Sequence, residues 1–129
     1  MKIAEVSKKY DIPQETLRYY ERANVIPSIS RDAGGIRNYS EEDCKWIEQA
    51  KCLRSAGLSV ESIAEYRRLF IIGDSTFSER CELLKNEREK LIAQRKSIDD
   101  AIERLDFKIG RYEIAVKTGT LSWESCDKQ

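Results

Sequence analysis

The sequence predicts a mainly α-helical protein, in which a compact group of short helices is followed by one long amphipathic helix. Apolar residues recur every three or four positions over most of the chain, which is typical of helices that pack on one side. A Gly-Gly turn at 34–35 separates two short β-compatible stretches, and from Thr76 onward neither glycine nor proline appears before Gly110. These patterns predict a small hairpin among short helices, and then a long uninterrupted helix.

The composition limits the classes of protein that fit. The chain has 129 residues, 23 lysines and arginines, 23 aspartates and glutamates, four cysteines and no histidine, so it forms one small domain with at most an appendage. Without histidine it lacks the commonest general base and the nitrogen ligand of zinc sites, so we expect no enzyme, no metal and no other cofactor. The net charge of zero does not by itself indicate a nucleic-acid partner. No apolar run is long enough to span a membrane, and the polar N-terminus is unlike a signal peptide, so we expect a cytoplasmic protein.

The first two helices are predicted from apolar spacing and from one proline. Apolar residues at helical spacing indicate a helix over residues 3–10. Pro13 suits the first turn of a second helix, over about 13–23, because its missing N–H would have no intrahelical partner there. Leu17 and Tyr20 lie on the side of this helix that we expect to face the core. Two short helices joined by a tight turn form a helix-turn-helix pattern.

A hairpin and two further helices complete the predicted N-terminal domain, residues 1–74. The Gly-Gly turn within residues 27–39 predicts a small hairpin, or wing. Ser40, with an acidic residue three positions later, resembles a capping box that begins a helix ending at Gly57. The same combination of a serine start and a glycine end predicts another helix between 59 and 73.

The last helix is predicted over residues 77–117, beginning at a Thr-x-x-Glu capping box formed by Thr76 and Glu79. Its apolar positions alternate by four and three, which is the spacing of a coiled-coil seam. A single chain offers no partner for this stripe, so we expect residues 75–117 to form an antiparallel coiled coil in a homodimer and residues 118–129 to form a flexible tail. The seam consists of Ile98, Ile102, Leu105, Ile109, Tyr112 and Val116.

In this arrangement the chain resembles the MerR family of transcription regulators. The resemblance is carried by Ile-Ala-Glu-Val-Ser at 3–7, Thr-Leu-Arg-Tyr-Tyr-Glu-Arg at 16–22 and Val-Ile-Pro at 25–27. It continues through Arg31, Gly-Ile-Arg-Asn-Tyr at 35–39 and Leu-Arg-Ser-Ala-Gly-Leu-Ser at 53–59, in the family's order. These matches cover nearly the first 60 residues.

The resemblance implies that the chain binds double-stranded promoter DNA, and the side chains agree with that role. On the outward side of the second helix, the Arg18 guanidinium suits a base edge or a phosphate, and the Tyr19 phenol suits a phosphate. Gln14 and Thr16 lie close enough to the start of the same helix to reach DNA. On the wing we expect Arg31, Arg37 and Tyr39 to contact the flanking backbone.

The family resemblance also implies a mechanism. Members typically bind a two-fold operator in an overlong promoter spacer, and their effector-bound form twists the DNA so that RNA polymerase can use it. The source of free energy would then be DNA deformation rather than chemistry.

The cysteines point to the stimulus. Residues 43–47, 51–57 and 73–76 resemble the NmlR-like or AdhR-like branch, which responds to reactive aldehydes and thiol stress and in which the cysteine matching Cys52 is the expected sensor. The spacing agrees, because a buried stripe made of Trp46, Ala50, Leu53 and Ala56 would leave Cys52 to one side.

Two alternatives remain open at this stage. A metal-responsive regulator would need Cys81 of one subunit to approach Cys126 of the other, although Cys81 also fits simple packing and Cys126 lies in a polar tail. A coiled-coil interaction module without DNA binding would leave Arg18, Gly35 and Arg37 unexplained.

Overall fold

The computed structural model describes residues 1–123, and its regular secondary structure is helical apart from one isolated β bridge. This confirms the mainly α-helical prediction. Residues 124–129 of the predicted tail, which include Cys126, lie outside the described part of the chain. The helices are α1 (Ile3–Tyr10), α2 (Gln14–Arg22), α3 (Glu41–Ser55), α4 (Val60–Ile72) and α5 (Phe77–Thr118), with a 3-10 turn at Asp74–Thr76 between the last two.

Local signals set the ends of the first helices. α1 ends at Tyr10, and the capping residue Asp11 adopts a left-handed φ of 55° and donates its N–H to the carbonyl of Ser7. α3 begins at the predicted capping box: the Ser40 hydroxyl accepts from the Asp43 N–H at 3.1 Å, and the Ser40 N–H donates to the Asp43 carboxylate at 2.9 Å. These bonds satisfy N–H groups that have no partner within the helix.

The start of α5 differs from the predicted capping box. The Thr76 hydroxyl lies 2.7 Å from the carbonyl oxygens of both Leu69 and Gly73, and it accepts from Arg80 Nε at 3.0 Å. Because only the stretch 73–76 separates α4 from α5, Thr76 lies against the last turn of α4. Its hydroxyl therefore joins the two helices.

The core of the N-terminal region lies between α1, α2, α3 and the start of α4. Leu17 and Tyr20 are buried, as predicted. The buried stripe of α3 was predicted incorrectly, because Ala56 is exposed. α3 contacts both α1 and α4, and these two neighbours, rather than the spacing alone, decide which of its sides is buried. The side chains of α3 that are buried are Asp43, Cys44, Ile47 and Ala50.

The chain divides into two compact units, and the division falls within α5, between Glu87 and Arg88. We call residues 1–87 the N-terminal unit and residues 88–123 the described part of the C-terminal unit. The first turns of α5 thus belong with the short helices: Leu83 packs against the core, and the Ser62 hydroxyl donates to the Glu87 carboxylate. The N-terminal unit therefore extends beyond the domain end predicted at residue 74.

In the C-terminal unit, the predicted seam side chains are exposed, from 50% at Ile102 to 85% at Val116. α5 ends at Thr118, and the following Gly119 has a φ of 76° and donates its N–H to the Ala115 carbonyl at 2.7 Å. The chain then folds back, and the Trp123 ring meets the edge of Tyr112 with 5.6 Å between ring centroids. Within the predicted tail, Trp123 and Ser122 therefore contact the helix, the Ser122 carbonyl accepting from Arg111 Nε at 2.7 Å. No helix among residues 1–123 is long and apolar enough to cross a membrane.

Candidate nucleic-acid interface

Of the predicted DNA contacts on α2, Arg18 and Tyr19 lie opposite its buried residues. Tyr19 is 43% exposed, while Gln14, Thr16 and Arg18 are partly exposed. Leu17 is the one residue of α2 that is completely buried. Its burial fixes the rotation of the helix and so decides which side chains face outward. Arg18 and Tyr19 are neighbours on the outward surface, whereas Gln14 and Thr16 lie on the two flanks of the helix, about 160° apart at about 100° per residue.

Arg18 is held along the surface of α2 by residues of the same helix. Its Nη1 donates to Glu15 Oε1 at 2.7 Å, and its Nη2 lies 3.5 Å from Gln14 Oε1. The Glu15 side chain is 80% exposed, and ion pairs of such exposed carboxylates contribute little free energy. The guanidinium would therefore exchange Glu15 for a phosphate or a base at low cost.

The predicted wing is present in a minimal form, closed by a single antiparallel bridge between Arg31 and Arg37. Asp32 forms its turn, since one carboxylate oxygen accepts from the N–H groups of Gly34 at 2.9 Å and Ile36 at 3.0 Å. The other oxygen pairs with the ammonium of Lys2, immediately before α1. The Lys2 hydrogen bond and the backbone N–H groups together hold the pKa of Asp32 below its ordinary value.

Glu21 connects α2 to the wing. One carboxylate oxygen accepts from Arg37 Nε at 2.9 Å, and the other accepts from the Ile29 N–H at 3.1 Å. Only 16% of the Glu21 side chain and 22% of the Arg37 side chain are exposed. Burial works against the ionised carboxylate, but the hydrogen bonds from Arg37 and Ile29 outweigh it and lower the pKa of Glu21.

Arg31 is exposed, and its Nη1 donates to the carbonyl of Gly35 at 2.8 Å across the turn. Arg31 and Arg37 lie opposite each other in the bridge, so their side chains start from the same side of the wing. Two positive charges are therefore placed together at the wing, next to the carboxylate of Glu21.

The structure corrects the prediction for Tyr39. Its ring is part of the core, with 3% of the residue exposed, and the hydroxyl is buried without a hydrogen-bond partner within residues 1–123. Burial raises the pKa of this phenol. The backbone explains the position: the Tyr39 N–H donates to the Met1 carbonyl at 2.7 Å, which draws the return segment of the wing against the start of the chain. Tyr39 is a core residue and not a surface contact for DNA.

Three residues of this region were not identified from the sequence as functional: Glu21, Asp32 and Lys2. Glu21 lies within the Thr-Leu-Arg-Tyr-Tyr-Glu-Arg run, where an acidic residue beside three predicted DNA contacts was the available signal. The pairing of Lys2 with Asp32 joins positions 30 residues apart and had no sequence signal.

The cysteines occupy different environments. Cys52 and Cys81 are exposed, whereas Cys44 is buried in the core beside the Tyr10 hydroxyl. Cys52 therefore lies outside the core, as expected from its position on α3. Within residues 1–123 no group of three or more metal-ligating side chains is present, and Cys126 lies outside that range.

The sequence matches the model of the MerR HTH family of regulatory proteins over residues 1–69. It is 51% identical over 92 residues to the HTH-type transcriptional regulator AdhR of Bacillus subtilis, a match that covers 71% of this chain and 66% of AdhR. It is also 29% identical over 118 residues to an uncharacterized HTH-type transcriptional regulator of Haemophilus influenzae, covering 92% of this chain and 87% of that protein.

Two solved structures share the fold over most of both chains. A MerR-family transcriptional regulator from Listeria monocytogenes is 39% identical, with a TM-score of 0.79 and coverage of 92% of this chain and 90% of that chain. HiNmlR, a MerR-family regulator that lacks the sensor domain and was solved bound to promoter DNA, is 28% identical, with a TM-score of 0.71 and coverage of 92% and 94%.

Proposed function

Because the chain belongs to the MerR family of helix-turn-helix regulators, we propose that it is a dimeric transcription switch triggered by reactive aldehydes or thiol oxidants. Membership makes the chain a DNA-binding transcription regulator rather than an enzyme. Our proposals concern the homodimer, the two-fold operator, the residues that contact DNA, and the chemical stimulus.

The observation that carries the DNA-binding proposal is the placement of three arginines on α2 and the wing. Arg18 lies on the accessible side of α2, while Arg31 and Arg37 face each other across the wing. We expect α2 to enter the major groove with Arg18 and Tyr19 foremost and with Gln14 and Thr16 on its two flanks, and we expect the wing arginines to contact the flanking phosphates. HiNmlR, which binds promoter DNA and lacks a sensor domain, supports this assignment for a chain of similar extent.

The apolar seam of α5 supports a homodimer. Single exposed apolar residues are ordinary, but a stripe repeated at coiled-coil spacing needs a partner. Two copies would bring two DNA-binding surfaces, each formed by α2 and the wing, to a two-fold operator. If DNA between the half-sites is twisted when the stimulus arrives, RNA polymerase would then use the promoter.

Arg18→Ala tests the proposed contact between α2 and DNA. We expect specific binding to weaken by about 1 to 3 kcal/mol, because a bidentate or phosphate contact is lost. Binding is measured at fixed salt on a duplex that the wild-type chain selects from random DNA. Lys96→Ala is the control, since it removes one positive charge from a side chain on α5 that pairs with Asp100 at 3.5 Å. Equal affinity of Arg18→Ala and wild type would contradict the contact.

Cys52 is the proposed sensor because it combines exposure with a link to the helix-turn-helix. Its neighbour on α3, Lys51, donates to the carbonyl of Tyr10 at the end of α1. On its other side, Leu53 packs against the core. Modification of Cys52 would therefore disturb a stretch of α3 that contacts both the core and α1.

The chemistry at Cys52 is simple addition or oxidation. With an aldehyde, the sulfur bonds to the carbonyl carbon, the C=O π bond breaks, and the thiol proton ends on the oxygen as a hemithioacetal. With a diazene oxidant such as diamide, the Cys52 thiol and a small-molecule thiol form a mixed disulfide, and their two protons and two electrons reduce the diazene to the hydrazine.

Cys52→Ser tests the sensor. We expect this variant to bind the selected duplex normally and to lose induction by formaldehyde and diamide in a reporter strain. Cys81→Ser is the matched control, because Cys81 is also exposed but lies on α5. Intact-protein mass spectrometry then locates the modified thiol. Full induction of Cys52→Ser would reject Cys52 and leave Cys81 and Cys126 to be tested.

A further inference from the structure

We propose that Glu21 is a positioning residue, which fixes the wing relative to α2 and so places Arg37 for contact with DNA. This inference rests on the proposed contact between Arg37 and the phosphate backbone. It assigns to an acidic residue, close to the DNA-binding surface, a favourable effect on DNA binding.

The first argument is the geometry of the carboxylate. Glu21 uses one oxygen for Arg37 Nε at 2.9 Å and the other for the Ile29 N–H at 3.1 Å. Ile29 lies on the outgoing segment, two residues before Arg31, and Arg37 lies on the return segment, so one side chain of α2 binds both segments of the wing. The loop has one β bridge, and Lys2 and the Met1 carbonyl connect it to the start of the chain; the two Glu21 bonds are what connect it to α2.

The second argument concerns the nitrogens that Glu21 leaves available. The carboxylate binds Arg37 through Nε, and within residues 1–123 neither Nη atom of Arg37 forms a hydrogen bond or is buried without a partner. The Arg37 side chain is 22% exposed, and its two Nη atoms, which form the planar fork that matches a phosphate, have no hydrogen bond within these residues to lose on binding. Glu21 thus holds the guanidinium through Nε, and both Nη atoms remain for the proposed phosphate contact.

The third argument is charge. Arg31 and Arg37 lie opposite each other in the bridge, and like charges in that arrangement repel. The Glu21 carboxylate lies close enough to interact electrostatically with both arginines. It therefore offsets a repulsion that would otherwise separate the two segments of the wing.

The sign of the effect distinguishes positioning from simple electrostatics. A carboxylate near phosphates repels them, so its removal would strengthen binding if charge alone mattered. If Glu21 positions Arg37, its removal weakens binding although the protein becomes more positive. The two explanations thus predict opposite changes in affinity.

The experiment compares Glu21→Ala, Glu21→Gln, Arg37→Ala and the double variant Glu21→Ala/Arg37→Ala in the full chain. Affinity for the duplex selected by the wild-type chain from random DNA is measured over a range of salt concentrations, and circular dichroism confirms the fold. We expect Arg37→Ala and Glu21→Ala each to weaken binding by about tenfold and to reduce the salt slope by about 0.9 per lost phosphate contact, or about two per dimer. The double variant should be no weaker than Arg37→Ala.

Glu21→Gln keeps one acceptor oxygen and should fall between wild type and Glu21→Ala, which also provides a reading if the alanine variant is unfolded. Glu42→Gln is the control for loss of an acidic charge, because Glu42 is 71% exposed on α3 and should leave affinity nearly unchanged. Normal or tighter binding by both Glu21 variants, together with weaker binding by Arg37→Ala, would overturn the positioning role only. Normal binding by Arg37→Ala would instead overturn the contact proposed for Arg37.

Discussion

The two units of the chain differ in how far their apolar side chains are buried. In the N-terminal unit Val6, Leu17 and Ile47 have no exposed surface, whereas in the C-terminal unit Leu105 and Ile109 are more than half exposed. The first unit closes a core within one chain, because several short helices cover one another. A single helix has no such neighbour, so the same residue types stay exposed.

This difference separates two sources of stability. Burial in the N-terminal unit stabilises the fold of each chain independently of concentration. Burial of the seam requires a second chain, so its contribution depends on protein concentration. Substitutions of similar size in the two units should therefore produce effects of different kinds.

The largest effect is expected from Ile102→Asp on the seam. A buried isoleucine contributes about 1.5 to 3 kcal/mol, each dimer loses two, and the new carboxylates also have to be desolvated. We expect the dimer to dissociate at least about 100-fold more readily, and operator binding to fall with it. Sedimentation velocity over a concentration series measures the change.

Ile114→Asp is the matched control for that experiment. Ile114 is 49% exposed on the same helix, and at about 100° per residue it lies opposite Leu105. It should leave the dimer intact. Dimers in both variants, or monomers in both, would show that the seam is not the interface.

The next effect is expected from Leu17→Ala in the core. Removal of a fully buried leucine should lower the free energy of unfolding by about 2 to 5 kcal/mol through lost burial and a new cavity. Urea unfolding at several protein concentrations measures it, with Leu105→Ala for comparison. The loss in Leu17→Ala should be the same at every concentration, while the loss in Leu105→Ala should not. A concentration-dependent effect of Leu17→Ala would break the distinction between the units.

The smallest effect is expected from Gly110→Ala, and it is stabilising. Gly110 lies inside α5, and a Cβ added there meets no atom within 4 Å. Alanine in place of glycine in a helix should stabilise α5 by about 0.5 to 1 kcal/mol. Thermal unfolding measures the gain. Destabilisation, or loss of the dimer, would mean that a second chain approaches the helix closely at Gly110.

The elements that sequence reasoning located well are those with local causes. The start of α2 after Pro13 and the start of α3 at Ser40 follow from hydrogen-bond requirements within a few residues. The wing was similarly indicated by its Gly-Gly turn. Each of these signals lies next to the feature that it determines.

The features that were missed depend on residues far away in the chain. Tyr39 looked like a surface residue of the wing, but its backbone pairs with Met1 and its ring enters the core. Glu21 looked like one more charged residue of α2, and its role became visible only when Arg37 was placed beside it. Spacing within one segment contains no information about such partners.

The extent of the N-terminal unit has a practical consequence for chimeric regulators. Arg80 of α5 donates to the Gly73 carbonyl at 3.0 Å, its guanidinium lies over the rings of Phe70 and Phe77, and Glu87 accepts from Ser62. A fusion that joins residues 1–74 to a helix from another protein would remove all of these contacts. The transplantable module ends at Glu87, so the exchange of dimerisation helices between related regulators should be made after that residue.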